Sequence, residues 1–433
     1  MKKTLVALAA LAATASFAQS SVQIVGVFDI GMQAAAAPTT VTSAVTPLKL
    51  GTDGTVAGAG SISVAKGAAT NASATAVAQN GVSTSAIKFI GTEDIGGGLK
   101  AGFLAEINPN LVRSSTSNQA NAFASEYTGT PFNGEQFISL AGGFGEVKLG
   151  VPNAGFFLAL NQSNPFVTGL GSGYAAAGFA RLGTTAPGIV SGVGSGTSRI
   201  IRHERSFQYA TPSFNGLSAM VTLANGNDNS ATSNQDGYQD LSVMYSNGPL
   251  NVAYSNAVNK FGTNPVLTLG GAYANVGVVA PTTGANTGVS SLAVLATPNS
   301  VGSAYVNGDF TYNVLAGNYT FGTTTVYAGY TTTKSNGFAT QIEDATSSNI
   351  AFKHVMGSID LLGNYTTRSS NIAKNNNAKQ LGLGVNYNLS KRTSVYYRYE
   401  FNDYNTDSKD DTAATALGGS ITTVNMVGIR HAF

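Results

Sequence analysis

The stretch that decides the fold is the last one, Thr422–Phe433, which reads TTVNMVGIRHAF. Successive side chains of an extended strand point to opposite faces, so Val427, Ile429 and Phe433 share one face and Arg430 lies on the other. Alternation of this kind indicates a strand rather than a helix. The chain is therefore predicted to end in a β-strand with one apolar face, which stops on an aromatic carboxyl-terminal residue.

The amino terminus carries the features of a secretory signal. Lys2 and Lys3 precede the apolar run 5–15, and the small-x-small sequence 16–18 follows it. This pattern predicts a signal peptide over residues 1–18, and we expect 19–433 to form a single exported domain. The apolar run is too short to span a membrane as a helix, and no later run is long and apolar enough.

The composition excludes several classes of protein. Charged residues make up 10% of the chain, against about 25% in soluble domains. Without the two signal lysines, 21 basic residues balance 21 acidic ones, so no basic surface for nucleic acid is expected. The chain has no Cys and no Trp, but it has 52 Gly residues. A weakly charged, Gly-rich chain of this kind fits a barrel with one lipid face and one wet face.

Alternating segments separated by tight turns can be counted along the chain. They give sixteen strands, an even number, as bacterial membrane barrels require. In lipid every backbone polar group needs a partner, so the first strand must pair with the last, and Phe433 is expected at the closure. The predicted strands are 21–32, 86–94, 99–108, 135–142, 146–152, 201–211, 217–224, 237–246, 250–257, 312–321, 324–332, 349–356, 358–368, 379–388, 393–403 and 421–433.

The connections are short at one end of the predicted barrel and long at the other, as expected for periplasmic turns and external loops. The long segments include 33–85, 109–134, 152–200 and 258–309. Leu267–Val279 could add a strand, which leaves eighteen strands open. A soluble β-sandwich is the alternative, but such long loops count against a compact soluble domain.

Five short motifs, in order along the chain, resemble those of the trimeric Gram-negative general porins. Gly91–Ala101 (GTEDIGGGLKA) resembles their GTEDLGGGLKA hairpin, and Val427–Phe433 resembles their VGLRHxF terminus. The others are Val25–Gly31, Ser139–Gly150 and Ser206–Leu217.

This resemblance implies an all-β, sixteen-stranded transmembrane barrel in the outer membrane whose third external loop, 152–200, folds into the lumen. It also implies a homotrimer and passive diffusion of small hydrophilic solutes. Outer-membrane lipid, lipopolysaccharide and the barrel assembly machinery are the expected partners. A substrate-specific channel, suggested by the unusual third loop, and a surface adhesin or structural barrel, suggested by segment 33–85, remain alternatives.

The chain departs from the family where anion-preferring members typically carry wall arginines. The matching positions are Ala86, Gly134 and Val151, and Lys88, on the same face as Ala86, is a candidate replacement. The third loop contains no Asp or Glu. These features predict a partly apolar pore constriction, or eyelet, with a weak field and a mild anion preference. The candidate constriction residues are Lys88, Lys100, Glu106, Lys148, Arg181, Arg199 and Arg202; each could equally be a solvated wall residue.

Residues for other chemistry are sparse, and no cofactor or enzymatic activity is expected. His203, His354 and His431 lie on different predicted strands, which favours no triad or zinc site. The last external loop contains an acidic cluster, Asp407, Asp410 and Asp411. Such oxygen ligands suit Ca²⁺, although a solvated loop is the simpler interpretation.

Overall fold

The computed structural model describes residues 21–38, 44–45, 62–63, 71–112, 132–172, 201–225, 235–261, 308–336, 344–370, 378–404 and 421–433. The predicted signal peptide and the possible extra strand 267–279 lie outside the described residues. Within these ranges, no helix has the length and apolar character needed to cross a membrane.

Most of the described chain is β-strand. The strands are β1 (Ser21–Pro38), β2 (Ala44–Val45), β3 (Ile62–Ser63), β4 (Asn71–Gln79), β5 (Ala86–Gly96), β6 (Leu99–Ile107), β7 (Gln136–Gly142), β8 (Gly145–Val151), β9 (Ser206–Ala210), β10 (Leu217–Asn225), β11 (Gln235–Asn247), β12 (Leu250–Phe261), β13 (Gly308–Phe321), β14 (Thr324–Asn336), β15 (Ala345–Met356), β16 (Ile359–Ser370), β17 (Ala378–Asn388), β18 (Thr393–Tyr404) and β19 (Ile421–Ala432).

The sheet closes on itself. From β5 to β19 each strand pairs antiparallel with the next, and β19 pairs with β1 in the register Val27 opposite Ala432. Gly26 and Phe433 exchange two backbone hydrogen bonds of 2.9 Å at this seam. The Phe433 ring packs edge-on against Phe28, with the ring centroids 5.3 Å apart. The predicted closed antiparallel barrel is confirmed.

The barrel has sixteen strand positions although its sheet contains seventeen strands. Residues 21–27 of β1 pair with β5, and residues 30–38 of β1 pair with β4. β4 and β5 therefore lie end to end along the same edge of β1. Together they fill one of the sixteen strand positions, and residues 80–85 connect them. The separate pair β2–β3 lies outside this sheet.

The segment predicted as the long loop 33–85 differs from that prediction. β1 continues to Pro38, and β4 occupies residues 71–79. Both extensions are rich in Ala, with four consecutive Ala residues at 34–37. Residues 34–37 are uniform, and in β4 Ala alternates with other, mostly small, side chains. The contrast between faces that revealed the other strands is therefore weak in both extensions.

The two faces of the strands differ as the sequence predicts. On β19, Val427 is 60% exposed and Ile429 is 45% exposed on the outside, whereas Met426 is buried inside the barrel. Phe103 on β6 and Ile350 on β15 also face outward. An outer face of apolar side chains is the surface that a lipid environment requires.

Candidate functional site

The chain turns into the lumen immediately after β8. The Ala154 amide donates to the Ile201 carbonyl oxygen at 2.6 Å, and Asn153 forms a β-bridge with Arg202. A short helix, α1 (Gly155–Leu160), follows, then a 3₁₀ turn over Asn161–Ser163. The described part of the third loop, residues 152–172, is called the inner loop below.

Helix α1 packs against the inner wall of β10–β13. Phe156 is completely buried and Leu160 nearly so. The Gly155 amide donates to Thr222 Oγ1 at 3.4 Å, and a Cβ on Gly155 would lie 2.7 Å from Asp240 Oδ1. Tyr312 packs against Phe156, with ring centroids 6.0 Å apart. Many other inward side chains of this wall are small and buried, which leaves room for the helix: Thr222, Ala224, Ser242, Ala253, Ser255, Ala257 and Ala316.

Side-chain amides hold the next part of the inner loop. Asn318 Nδ2 donates to the Gln162 carbonyl oxygen at 3.2 Å. Asn349 Nδ2 donates to the Ser163 carbonyl oxygen at 2.7 Å. These bonds satisfy backbone groups that have left the regular ladder, and they fasten the turn to β13 and β15.

A second anchor holds Gly171 against β16–β18. The Gly171 amide donates to Glu400 Oε2 at 2.7 Å, and its carbonyl oxygen accepts from Gln380 Nε2 at 2.9 Å and Asn364 Nδ2 at 3.3 Å. Gly382 provides the space, since a Cβ there would lie 2.6 Å from the Gly171 carbonyl carbon. The buried Glu400 carboxylate therefore holds the loop backbone, the kind of charge-assisted bond that is among the stronger ones.

Between these anchors, Phe166 packs on a buried cation. The Arg398 guanidinium carbon lies 5.5 Å from the Phe166 ring centroid and 5.4 Å from that of Tyr396. Arg398 Nη2 also donates to Asn386 Oδ1 at 2.7 Å. Tyr396 itself faces the lumen and is 3% exposed.

The connection between β4 and β5 forms a second inward segment. Asp29 Oδ2 accepts from the amides of Val82 and Ser83 at 2.6 and 2.8 Å, and Tyr396 donates its hydroxyl to Asp29 Oδ1. The inner loop meets this segment, since the Leu170 amide donates to the Gly81 carbonyl oxygen at 3.0 Å. The described part of the third loop thus lies inside the barrel, as predicted, and follows the inner wall from β10 to β18 as far as the β4–β5 connection.

The wall of β5–β8 lies across the barrel from β13–β16, because the closed sheet places it there. Lys88 Nζ on β5 lies 3.1 Å from Glu106 Oε2 on β6, and the two residues are direct cross-strand partners. Asn108 Nδ2 donates to Glu106 Oε1 at 2.6 Å. The lysine is 34% exposed and the carboxylate 8% exposed. The structure thus brings together two of the sequence-predicted constriction residues as an ion pair.

Two other inward lysines are also paired. Lys148 Nζ lies 3.4 Å from Glu146 Oε2 and 4.6 Å from the Phe137 ring centroid. Lys353 Nζ lies 3.3 Å from Asp360 Oδ2. A carboxylate about 3–4 Å from a lysine cancels most of the electric field that the lysine produces farther away. The ion pairs therefore make the electrostatic potential of the lumen less positive than the lysines alone would.

The remaining predicted candidates are dispersed. Lys100 is exposed and stands opposite Asp94 near the short turn after β5. Arg202 Nη1 donates to Asn153 Oδ1 at 3.4 Å, at the base of the inner loop. Arg181 and Arg199 lie outside the described residues.

Two of the three positions without wall arginines lie beside the Lys88–Glu106 pair, namely Ala86 on the strand of Lys88 and Gly134 against Glu106. Ala86 is buried at the start of β5, and Val151 ends β8. A Cβ on Gly134 would lie 2.7 Å from Glu106 Cδ. The space beside Gly134 is therefore taken by the Glu106 side chain.

Sequence reasoning missed the residues that anchor the two inward segments: Asp29, which holds the β4–β5 connection, and Asn364, Gln380 and Glu400, which hold the inner loop. Each falls on the inward face of its strand, and each is a polar residue that is at most 5% exposed. The alternation predicts that these polar residues face the lumen, where water was expected to surround them. It does not predict that a loop covers them.

The three histidines have different partners. His203 stacks on Tyr238 with ring centroids 3.6 Å apart, while His354 and His431 hydrogen-bond to Thr324 and Thr393. In the described ranges, no group of three or more His, Asp and Glu side chains could hold a metal ion. The acidic cluster Asp407, Asp410 and Asp411 lies outside those ranges.

The comparison with protein families decides the assignment. The model of the Gram-negative porin family matches residues 4–290 and 266–407, which together make up most of the chain. The chain belongs to the Gram-negative porin family. Among similar proteins, Outer membrane porin protein 32 of Delftia acidovorans is 28% identical over 449 residues, with 100% of both chains aligned.

Solved structures have the same fold as this porin. The "Anion-selective porin from Comamonas acidovorans" matches with a TM-score of 0.64 and 23% identity, over 96% of this chain and 100% of that one. The trimer form of OmpT from Vibrio cholerae matches with a TM-score of 0.51 and 13% identity, over 96% and 99%.

Proposed function

We propose that this porin is a water-filled channel through which ions and small hydrophilic solutes cross the outer membrane by passive diffusion. The observation that carries the proposal is the inner loop, which lies inside a closed barrel and is fastened to its inner wall. A fixed loop of this kind narrows a pore without requiring a moving part. Passive diffusion needs no catalytic residue, and we assign none.

A weak preference for anions is part of the proposal. The relative from Comamonas acidovorans is described as anion-selective, and the described lumen of this porin presents Lys88, Lys148 and Lys353. Each lysine lies within 3.4 Å of a carboxylate oxygen. A paired lysine attracts an anion less than an isolated one, so the preference is expected to be small.

The assembly and the route to the membrane are also proposals. A trimer form of OmpT is known, and the exposed apolar outer face provides surface for contact between subunits and with lipid. We propose a homotrimer in contact with lipid and lipopolysaccharide, which is exported through a signal peptide at 1–18 and inserted by the barrel assembly machinery.

The test is purified porin in a planar bilayer under a salt gradient. We expect conductance steps in groups of three and a small reversal potential that favours anions. A cation-favouring potential would refute the proposed preference. An absence of conductance from correctly folded protein would refute the channel itself and favour a surface or structural barrel.

A substrate-specific channel is the second candidate, and one observation favours it. The inner loop is fastened at several points and carries apolar side chains such as Phe166 and Leu170. A liposome-swelling series with solutes of increasing size separates the two candidates. Uptake that falls smoothly with solute size supports a diffusion pore. Uptake of one solute that is much faster than its size predicts supports a specific channel.

A further inference from the structure

We propose that Glu106 is a selectivity-determining residue of this pore, because it neutralises Lys88 and so favours hydrophilic solutes without net charge, either uncharged or zwitterionic, over ions. This inference rests on the proposed channel function and deepens it. It concerns the class of solute that passes most readily through the pore beside the β5–β8 wall.

The geometry fixes Glu106 in the neutralising position. Its carboxylate lies 3.1 Å from Lys88 Nζ and accepts from Asn108 Nδ2 at 2.6 Å. The Glu135 amide approaches the same carboxylate at 3.5 Å. With partners on several sides and 8% side-chain exposure, the carboxylate stays beside the lysine instead of turning into the solvent.

The surrounding backbone is shaped for this side chain. A side chain on Gly134 would overlap Glu106, as its Cβ would lie 2.7 Å from both Cβ and Cδ of the glutamate. The Gly134 amide also donates to the Glu106 carbonyl oxygen at 3.1 Å. Because Gly134 has no side chain, the Glu106 side chain can lie against it and reach Lys88.

Lys88 is the partner that solutes can reach. It is 34% exposed, about four times the exposed fraction of Glu106. An isolated lysine there would attract anions and repel cations, whereas a pair acts as a short dipole whose field falls off steeply. A zwitterion or a neutral solute meets no net charge to oppose its passage, and an anion gains little from the lysine.

The experiment compares four forms of the full-length porin in planar bilayers: wild type, Glu106→Gln, Lys88→Gln and the double variant. A unit charge about 6 Å from a passing ion, in water at 0.1 M salt, changes the permeability ratio of anions to cations on the order of three- to fourfold. We expect Glu106→Gln to raise that ratio by this factor and Lys88→Gln to lower it. The double variant should return close to wild type, since it restores neutrality.

Solute uptake is the second readout. In liposome swelling, Glu106→Gln should increase uptake of a monovalent organic anion relative to a neutral solute and a zwitterion of the same size. Uptake of the neutral solute should stay at the wild-type level in all four forms. Neutral-solute uptake also separates the two proposals, because its absence from the wild type refutes the channel and not the role of Glu106.

The matched control is Glu93→Gln, which removes the same charge from an exposed residue of β5. Glu93 lies on the same hairpin, opposite Ala101 and close to the short turn, so its loss should leave selectivity unchanged. The inference is overturned if Glu106→Gln leaves the reversal potential of a conducting channel at the wild-type value, or if Glu93→Gln shifts it equally.

Discussion

The anchor at Gly171 makes Gly382 the most sensitive position of the inner wall. The substitution Gly382→Ala adds a Cβ that would lie 2.6 Å from the Gly171 carbonyl carbon. Ordinary contact requires about 3.4 Å or more, so the loop must move away from β17 by about 0.8 Å at the least. The obstruction is backbone rather than a flexible side chain, so it cannot be relieved by a change of rotamer.

The displacement has a calculable effect on the anchor. Gln380 Nε2 lies 2.9 Å and Asn364 Nδ2 lies 3.3 Å from the Gly171 carbonyl oxygen, so both bonds would stretch past the limit of useful hydrogen bonding. The Glu400 bond at 2.7 Å would weaken with them. Two neutral bonds and one to a carboxylate are together worth roughly 3–5 kcal/mol. The loop's preference for the docked state should fall by a corresponding factor, between about 10² and several times 10³.

Single-channel recording measures the result. We expect Gly382→Ala to give a larger and noisier conductance than wild type, because the inner loop leaves the wall. Leu383→Ala, which removes an outward side chain next to it, is the matched control and should keep the wild-type conductance. Glu400→Gln retains an acceptor and should have a smaller effect. If Gly382→Ala folds and its conductance and noise equal those of the wild type, the close packing of the inner loop against Gly382 is refuted.

Two further predictions concern the barrel itself. Phe103 faces outward and is 40% exposed, so Phe103→Arg places a charge toward lipid at a cost of about 2–4 kcal/mol and should reduce the folded fraction, measured by the gel mobility of unheated protein. Lys100→Ala, its control, should fold normally and change only conductance; equal folding of the two variants would contradict the assigned outer face. Gly26→Val should weaken the seam by roughly 1–3 kcal/mol, because its Cβ would lie 2.7 Å from the Ala86 carbonyl oxygen and displace the Phe433 ring. Its thermal unfolding should begin earlier than wild type, and an unchanged transition would show that the seam does not limit stability.

The strands were predictable because membrane strands repeat a simple rule, with an outward apolar residue at every second position between short turns. The termini of β17 and β18 lie within a residue of the prediction. β4 was missed, because its alternation of Ala with small side chains such as Ser and Thr gives little contrast between the two faces. The rule depends on contrast between the two faces, and it fails where that contrast vanishes.

The Lys88–Glu106 pair shows where prediction of the site stops. Both residues were candidates, and their strands form one hairpin, but a register shift lies between Asp94 and Gly96 at the turn. A shift of one residue changes every cross-strand partner, so the turn alone does not determine which acid meets the lysine. The inner-loop anchors are even harder to predict from the sequence, because Gly171 and Glu400 lie 229 residues apart in the chain.

That separation has a consequence for biogenesis. The groups that hold Gly171 come from β16, β17 and β18, near the end of the chain, whereas the loop itself follows β8. Contacts between such distant parts of a chain form late, after the intervening strands are in place. A chain halted before β18 would lack the Glu400 anchor, and without β19 its sheet could not close on β1. The permeability barrier of this porin is thus completed together with the barrel.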